Sequence, residues 1–221
     1  MGKYITVLMV CAVVVSCNAQ KRDLEMLPYN KDLGAVVPDI REMQRDRELE
    51  TTMSAYQTDN LTGYCINDIR LNNYTYDNTS YVQSNELYLL VDSYKANKFI
   101  GYVLRILDEK EANKLITYFQ NKLGPPFKTK TYTKEEENYE DALYLWNKEK
   151  DRMTFIKKHS ESRTNHQSGK EEKVTTTKIV VVKKGLSITP DAGNDPEKIK
   201  EILKENPHNF ELIEVFKNQF L

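Results

Sequence analysis

Glycine, cysteine and histidine are scarce in this sequence, and these shortages remove several classes of function. The 221-residue chain has 8 glycines, 3 cysteines and 3 histidines. It contains no glycine-rich phosphate-binding loop and no Gly-x-Ser-x-Gly nucleophile motif. Lys+Arg 32 against Asp+Glu 33 gives a net charge of −1, so there is no basic excess. Without that excess the chain lacks the charge that neutralises nucleic-acid phosphates, and we expect no nucleic-acid partner.

The chain also lacks an apolar run of the roughly 20 residues that a membrane-spanning helix needs. Its longest run covers residues 5–15 and follows Lys3. A basic residue, a short apolar core and small residues after it are typical of a secretory signal peptide. Gly2 with Thr6 fits the N-myristoylation pattern as well. That pattern leads here directly into the apolar core, which favours the signal peptide.

The leader ends in a short motif with its own implication. It is the run Val14-Val15-Ser16-Cys17. This run resembles the lipobox of bacterial lipoproteins. The resemblance implies cleavage before Cys17, lipid such as palmitate on that cysteine, and a membrane-anchored place in the bacterial cell envelope, on the periplasmic or the surface side. Ordinary cleavage after Ala19 stays open as the alternative.

The remaining chain predicts one domain behind a tether. We expect a signal peptide over residues 1–16, a lipid-anchor tether with a weak helix over residues 17–60, and a single α+β domain over residues 61–221. Once the leader is removed, Cys65 has no intrachain partner for a disulfide. We expect it to behave as a small buried apolar residue.

One helix gives the clearest periodic signal. Apolar side chains recur at helical spacing along one stripe: Ala112, Leu115, Ile116, Phe119 and Leu123. Asp108 is placed to cap the start, with Glu111 three residues later as in a capping box. Gly124 supplies the left-handed residue that ends a helix. The stripe requires an apolar surface to cover it.

Alternating segments on either side of this helix supply that surface. Those before the helix cover residues 63–71, 82–92 and 99–107, and those after it cover residues 142–148, 153–157 and 174–184. Short links favour antiparallel neighbours. We therefore expect an α+β fold, with an antiparallel sheet of about six strands in the order βββ-α-βββ. The amphipathic helix lies on one face, the C-terminal helices follow, and residues 160–173 form a polar loop.

No group of residues predicts catalysis or cofactor binding. His159 and His166 lack the spacing of converging ligands, and His208 is isolated from both. The acidic residues 135–141 lack the pattern of a calcium loop. We expect no catalytic residue, no metal and no cofactor, and we regard enzymatic activity as the less favoured reading.

The tyrosine-rich stretch over residues 72–81 is the most unusual in composition. Tyrosine with Ser, Thr and Asn is typical of adaptable recognition loops. The candidate binding residues are Asn73, Tyr74, Tyr76, Asn78 and Tyr81. They predict contact with a protein or a glycan. The alternative is a hairpin turn in which Asn bonds to the backbone and Tyr pairs across strands.

Three functional hypotheses remain after this reading. The first is an envelope lipoprotein with a non-catalytic binding or assembly domain. The second is a small exported hydrolase, and the third is an inhibitor-like partner protein. A cleft that holds a histidine within hydrogen-bond reach of a carboxylate favours the hydrolase. A flat or convex aromatic patch favours the other two.

Overall fold

An antiparallel sheet of eight strands forms the centre of the fold. The structure is a computed structural model that describes residues 21–48, 51–77, 82–92, 97–134, 139–166, 168–188 and 196–221. The strands in chain order are β1 (Arg22–Asp23), β2 (Gln44–Arg47), β3 (Ser54–Thr58), β4 (Tyr64–Ile66), β5 (Ile69–Arg70), β6 (Thr75–Asp77), β7 (Val82–Ser84), β8 (Glu86–Asp92), β9 (Lys98–Ile106), β10 (Lys128–Lys134), β11 (Tyr139–Trp146), β12 (Arg152–Thr164) and β13 (Glu171–Lys183). The central sheet has the order β10-β11-β12-β13-β9-β8-β3-β2.

The helices complete an α+β fold, which is the predicted class. They are α1 (Leu33–Val36), α2 (Glu109–Leu123), α3 (Pro196–Glu205) and α4 (Leu212–Asn218), with 3-10 turns at Leu24–Met26 and Pro38–Glu42. The sheet differs from the predicted βββ-α-βββ of six strands. β13 pairs with β12 on one side and β9 on the other, so the strands before and after α2 form one continuous sheet. None of the helices in the described ranges is long and apolar enough to cross a membrane.

Several segments take a different structure from the one expected. The strand predicted at residues 63–71 divides into β4 and β5, and these form a separate small sheet in which β4 lies between β1 and β5. Residues 160–164 and 171–173 belong to the long hairpin of β12 and β13 rather than to a polar loop. β10 lies within the loop expected between α2 and β11. Polar residues dominate the hairpin extension and β10, and backbone pairing to a neighbouring strand stabilises them where side-chain periodicity gives no signal.

The segment expected to be a tether is part of the packed domain wherever it is described. Leu24, Leu33 and Val37 are each at most 1% exposed. Glu25 accepts hydrogen bonds from Lys122 of α2 at 2.8 Å and pairs with Arg152 of β12 at 3.2 Å. The described part of residues 17–60 forms β1, the single-turn helix α1, two 3-10 turns and the strands β2 and β3.

The structure confirms the predicted start and end of α2 but gives Glu111 a different hydrogen-bond partner from the one expected. Asp108 accepts hydrogen bonds from the backbone N–H groups of Lys110 and Glu111. Gly124 has a φ of 70°, and its N–H donates to Gln120 O at 2.9 Å. Glu111, however, does not complete a capping box. Its buried carboxylate accepts from the backbone N–H of Asn72 at 3.3 Å and from the side-chain amide of the same residue at 3.2 Å.

A β-bulge in β9 changes which side chains face α2. The pairing of β8 with β9 shifts between Leu90 and Val91, opposite Gly101. Phe99 and Tyr102 therefore lie in the core on the α2 side, whereas Ile100 lies in the core on the other face. Gly101 has a φ of 155°, and a Cβ there would lie 2.4 Å from Val181 O. The bulge thus requires glycine at this position.

The C-terminal segment covers half of the sheet face opposite α2. Phe216 of α4 stacks on Phe155 of β12 with ring centroids 4.5 Å apart. Leu212 lies in the same cluster and is fully buried. Polar side chains occupy the other half of this face, and this half carries the candidate site.

Candidate functional site

The polar half of the sheet face forms a cleft of about 440 Å³, which we call the sheet cleft. Four cations and two tyrosines contribute to its lining: Arg105, Lys157, Arg163, Lys178, Tyr88 and Tyr139. All six lie on strands, and Arg163 is close to the C-terminal end of β12. Strands hold side chains in defined positions better than loops do, so the arrangement is fixed before a ligand arrives.

The strand register places three of these cations directly side by side. Lys157 of β12 is the cross-strand partner of Lys178 of β13, and Lys178 is the partner of Arg105 of β9. We call these three residues the cationic row. Cross-strand partners project from the same face and lie about 4.5–5.5 Å apart at Cβ. Like charges at that separation repel each other and destabilise the sheet.

Two buried or half-buried carboxylates partly neutralise the row. Glu48 is 2% exposed and pairs with Lys178 at 3.3 Å. The backbone N–H and hydroxyl of Thr51 donate to the other oxygen of Glu48, at 2.7 and 2.9 Å. Glu86 pairs with Arg105 at 3.0 Å. Within the described ranges Lys157 has no carboxylate partner.

The tyrosines of the cleft serve as neutral hydrogen-bond donors. The Tyr88 hydroxyl donates to Glu86 at 3.0 Å. Burial is the larger cause, and the negative charge of Glu86 the next, of a raised pKa for Tyr88. The Tyr139 hydroxyl donates to Asp141 at 2.7 Å. This hydrogen bond, followed by burial, raises the pKa of Tyr139 to about 12. Both hydroxyls therefore stay protonated at neutral pH.

His159 lies on β12 and lines the sheet cleft. Its Nδ1 is 2.8 Å from Asp141 Oδ1, and its Nε2 is 3.5 Å from Glu161. A carboxylate that fixes one imidazole nitrogen is the arrangement found beside general bases. No serine hydroxyl is bonded to this ring among the described residues, because Ser160 points to the opposite face and bonds Thr175 at 2.9 Å.

The other predicted site residues lie elsewhere. His166 is in the exposed turn between β12 and β13, and His208 bonds Glu211 at 2.6 Å on the surface. No group of three or more His, Cys, Asp or Glu side chains suited to a metal ion occurs in the part of the chain that is described. Cys65 is buried, as expected, and burial raises the pKa of its thiol.

The tyrosine-rich turn forms part of a second cleft of about 400 Å³, which we call the turn cleft. Tyr74 is 40% exposed at its rim, and the Tyr76 hydroxyl donates to Glu172 at 3.3 Å. Asn73 instead accepts the backbone N–H of Leu61 at 2.7 Å, which is a loop-fixing contact. Of the other predicted residues, Asn78, Tyr81 and the lipidation residue Cys17 lie outside the described ranges.

Comparison with known proteins adds no family to this geometry. No protein-family model, no curated protein and no solved structure matches the chain.

Proposed function

We propose that this chain is an exported lipoprotein of the bacterial cell envelope, anchored by lipid on Cys17, whose domain binds a ligand in the sheet cleft without changing it chemically. The lipobox-like end of the leader supports the anchor. The observation that carries the binding role is the open polar half of the sheet. Its charged and aromatic side chains are held on strands by acids such as Glu48. A convergent set of fixed polar groups in a cleft of 300–1,000 Å³ is typical of a small-molecule site.

The proposed anchor would hold the domain close to the membrane. Arg22, near the start of the described residues, is fixed to the domain because its backbone N–H donates to Gly63 O at 2.9 Å. Chain extends by at most about 3.6 Å per residue, so the few residues after Cys17 span less than about 20 Å. An anchor of several acyl chains holds stably, because each buried CH₂ contributes about 0.8 kcal/mol.

The anchor is tested with Cys17→Ser. We expect the wild-type protein in the membrane fraction, labelled by a clickable fatty acid, with the mature chain starting at Cys17 by mass spectrometry. The variant should lose the label and leave the membrane fraction. A wild-type protein that is soluble, unlabelled and starts at Gln20 would contradict lipidation while supporting export with cleavage after Ala19.

The binding role is tested by filling the cleft. Thr176 lines the sheet cleft and is partly exposed, so Thr176→Trp should block the cleft with little effect on the core. We expect small molecules extracted from the envelope to shift backbone NMR signals of β9, β12 and β13 in the wild type only. Shifts that persist in the variant would place binding elsewhere. An extract that shifts no signal of the wild type would contradict the binding role.

The hydrolase remains a second candidate because His159 bonds Asp141 inside a cleft. In that case His159 would activate a water molecule against an ester or phosphoester. Steady-state assays with a panel of such substrates separate the two functions. Turnover that is lost in His159→Gln while ligand binding persists would establish hydrolysis and overturn the non-catalytic role. Equal background rates for both proteins would exclude His159 as a base.

The turn cleft is proposed as an additional contact for a protein or glycan partner. Tyr74 is exposed at its rim, whereas Tyr76 is tied to Glu172. Tyr74→Ser should therefore weaken partner capture and leave the melting temperature unchanged, and Tyr76→Ser should lower the melting temperature. If Tyr74→Ser also unfolds the protein, its ring has a structural role and the turn cleft is not a recognition surface.

A further inference from the structure

We propose that the cationic row is an oxyanion-binding site, so that the ligand of the sheet cleft is a small molecule carrying a phosphate or carboxylate group. This inference rests on the proposed function, because it names the ligand class for the same cleft. It is carried by the juxtaposition of Lys157, Lys178 and Arg105 on three neighbouring strands.

The row has an apolar counterpart in the same register. Phe155, Val180 and Val103 are paired across the same three strands, two residues away from the cationic row, and all three are fully buried. The polarity of the face therefore changes between two consecutive rows. Apolar residues fill the row beneath α4, and three cations fill the next row, which lies in the open cleft.

The charges of the row do not cancel. Arg105 pairs with Glu86 and Lys178 pairs with Glu48, so two of the three cations have a carboxylate partner. Lys157 is the member without a carboxylate in the described part of the chain. Like charges directly opposite each other on neighbouring strands cost stability. An oxyanion between the ammonium groups removes this cost, since hydrogen bonds from charged donors to anions are the stronger ones.

The donors of the cleft suit an oxyanion in geometry as well as in charge. The guanidinium of Arg105 presents several N–H groups in a planar fork, which suits carboxylate and phosphate oxygens. Arg105 is only partly exposed at 25%, so water screens its charge less than at an open surface. The hydroxyl of Thr176 lies on the same cleft wall.

The experiment compares oxyanions at constant ionic strength, with sodium chloride as the balancing salt. The mature protein is titrated with inorganic phosphate in one arm and with glucuronate in the other, and the melting temperature is recorded. We expect at least one arm to raise it with saturation. The arm that saturates at lower concentration identifies phosphate or carboxylate as the recognised group. If chloride reproduces the effect of both, the site has no oxyanion preference and the proposal is wrong.

Variants of opposite sign make this test specific. Lys157→Gln should weaken the apparent affinity for the recognised anion at least tenfold. Glu48→Gln should strengthen it, because Lys178 loses its competing carboxylate. Lys158→Gln is the matched control: this neighbour on the same strand pairs with Glu109 at 2.7 Å outside the cleft. It should leave the affinity unchanged, and an equal loss in Lys157→Gln and Lys158→Gln would overturn the proposal.

The melting temperature without added anion separates a binding role from a structural one. Relief of repulsion should leave Lys157→Gln as stable as the wild type or more stable. A fall of several degrees would mean that Lys157 supports the fold, and the proposal would fail. If neither oxyanion acts while Thr176→Trp still abolishes binding of the envelope extract, the cleft binds a ligand of another class. The oxyanion site would then be wrong and the proposed function would stand.

Discussion

Replacing Phe119 with alanine should lower the free energy of unfolding by about 3–5 kcal/mol. The ring is 1% exposed in the core between α2 and the sheet. Its centroid lies 5.2 Å from that of the Tyr118 ring, in an edge-to-face arrangement. Loss of its burial accounts for about 1.5–3 kcal/mol. The cavity adds the remainder, because the caps at Asp108 and Gly124 fix both ends of α2 and limit its shift into the space.

Urea unfolding followed by the fluorescence of Trp146 measures this loss. The chain has a single tryptophan, and its side chain is 2% exposed in the same core. Phe127→Ala is the matched control, since that ring is 55% exposed and its removal should cost under about 0.5 kcal/mol. The slope of free energy against urea should be unchanged. A loss below about 1 kcal/mol for Phe119→Ala would mean that α2 does not pack through this face.

Three further predictions concern the backbone, a thiol and a buried acid. Gly101→Ala should lower the melting temperature sharply, because the added Cβ would lie 2.4 Å from a carbonyl oxygen. Gly63→Ala is the control and should not lower it, since no atom lies within 4 Å of the added Cβ. Equal effects of the two substitutions would disprove the bulge. Cys65 is 8% exposed with a raised thiol pKa, so a thiol reagent should modify it far more slowly in buffer than in urea, and similar rates would contradict its burial. Burial raises the pKa of Glu111 above its ordinary 4.5, so the stability this group contributes is present below pH 4.5 and is lost as pH rises through the folded-state pKa. Glu111→Gln should remove that loss, and parallel stability–pH curves for the two proteins would argue against it.

Local signals identified the elements whose ends and faces are marked in the sequence. In α2, Asp108 marks where the helix begins, the apolar stripe marks the face that is buried, and Gly124 marks where the helix ends. Pro196 likewise begins α3, and proline favours the first position of a helix. In such elements one residue type satisfies one local requirement. That correspondence can be recognised without knowledge of the neighbouring strands.

Elements that depend on distant partners were not recognisable in this way. β2 and β10 carry mostly polar residues, and each is a strand because a neighbour pairs with its backbone. Strict alternation along β9 would place Phe99 and Tyr102 on opposite faces, but the bulge at Gly101 shifts the register by one residue and puts both on the α2 side. A one-residue shift moves every later side chain to the opposite face. Periodicity alone therefore fails where the backbone departs from regular pairing.

The candidate site depends on register for the same reason. Residues 105, 157 and 178 are far apart along the chain, and only the pairing of β9, β12 and β13 makes them neighbours. A weaker signal was present in each strand. A basic residue stands two positions from a buried apolar residue on the same face, as in the pairs Val103 with Arg105 and Phe155 with Lys157. Any one such change in polarity is typical of a strand end.

Three such changes at one level of a sheet have a different meaning. The apolar row at Phe155 is covered by α4, and the core it forms does not require charge in the next row. Threonine or glutamine at position 157 would satisfy the same backbone pairs without repulsion from Lys178. The fold therefore does not account for the cation at this position, whereas the proposed oxyanion site in the open cleft would. Under the proposed oxyanion binding, Lys157 is the residue whose contributions to stability and to ligand binding have opposite signs, and a single substitution there separates them.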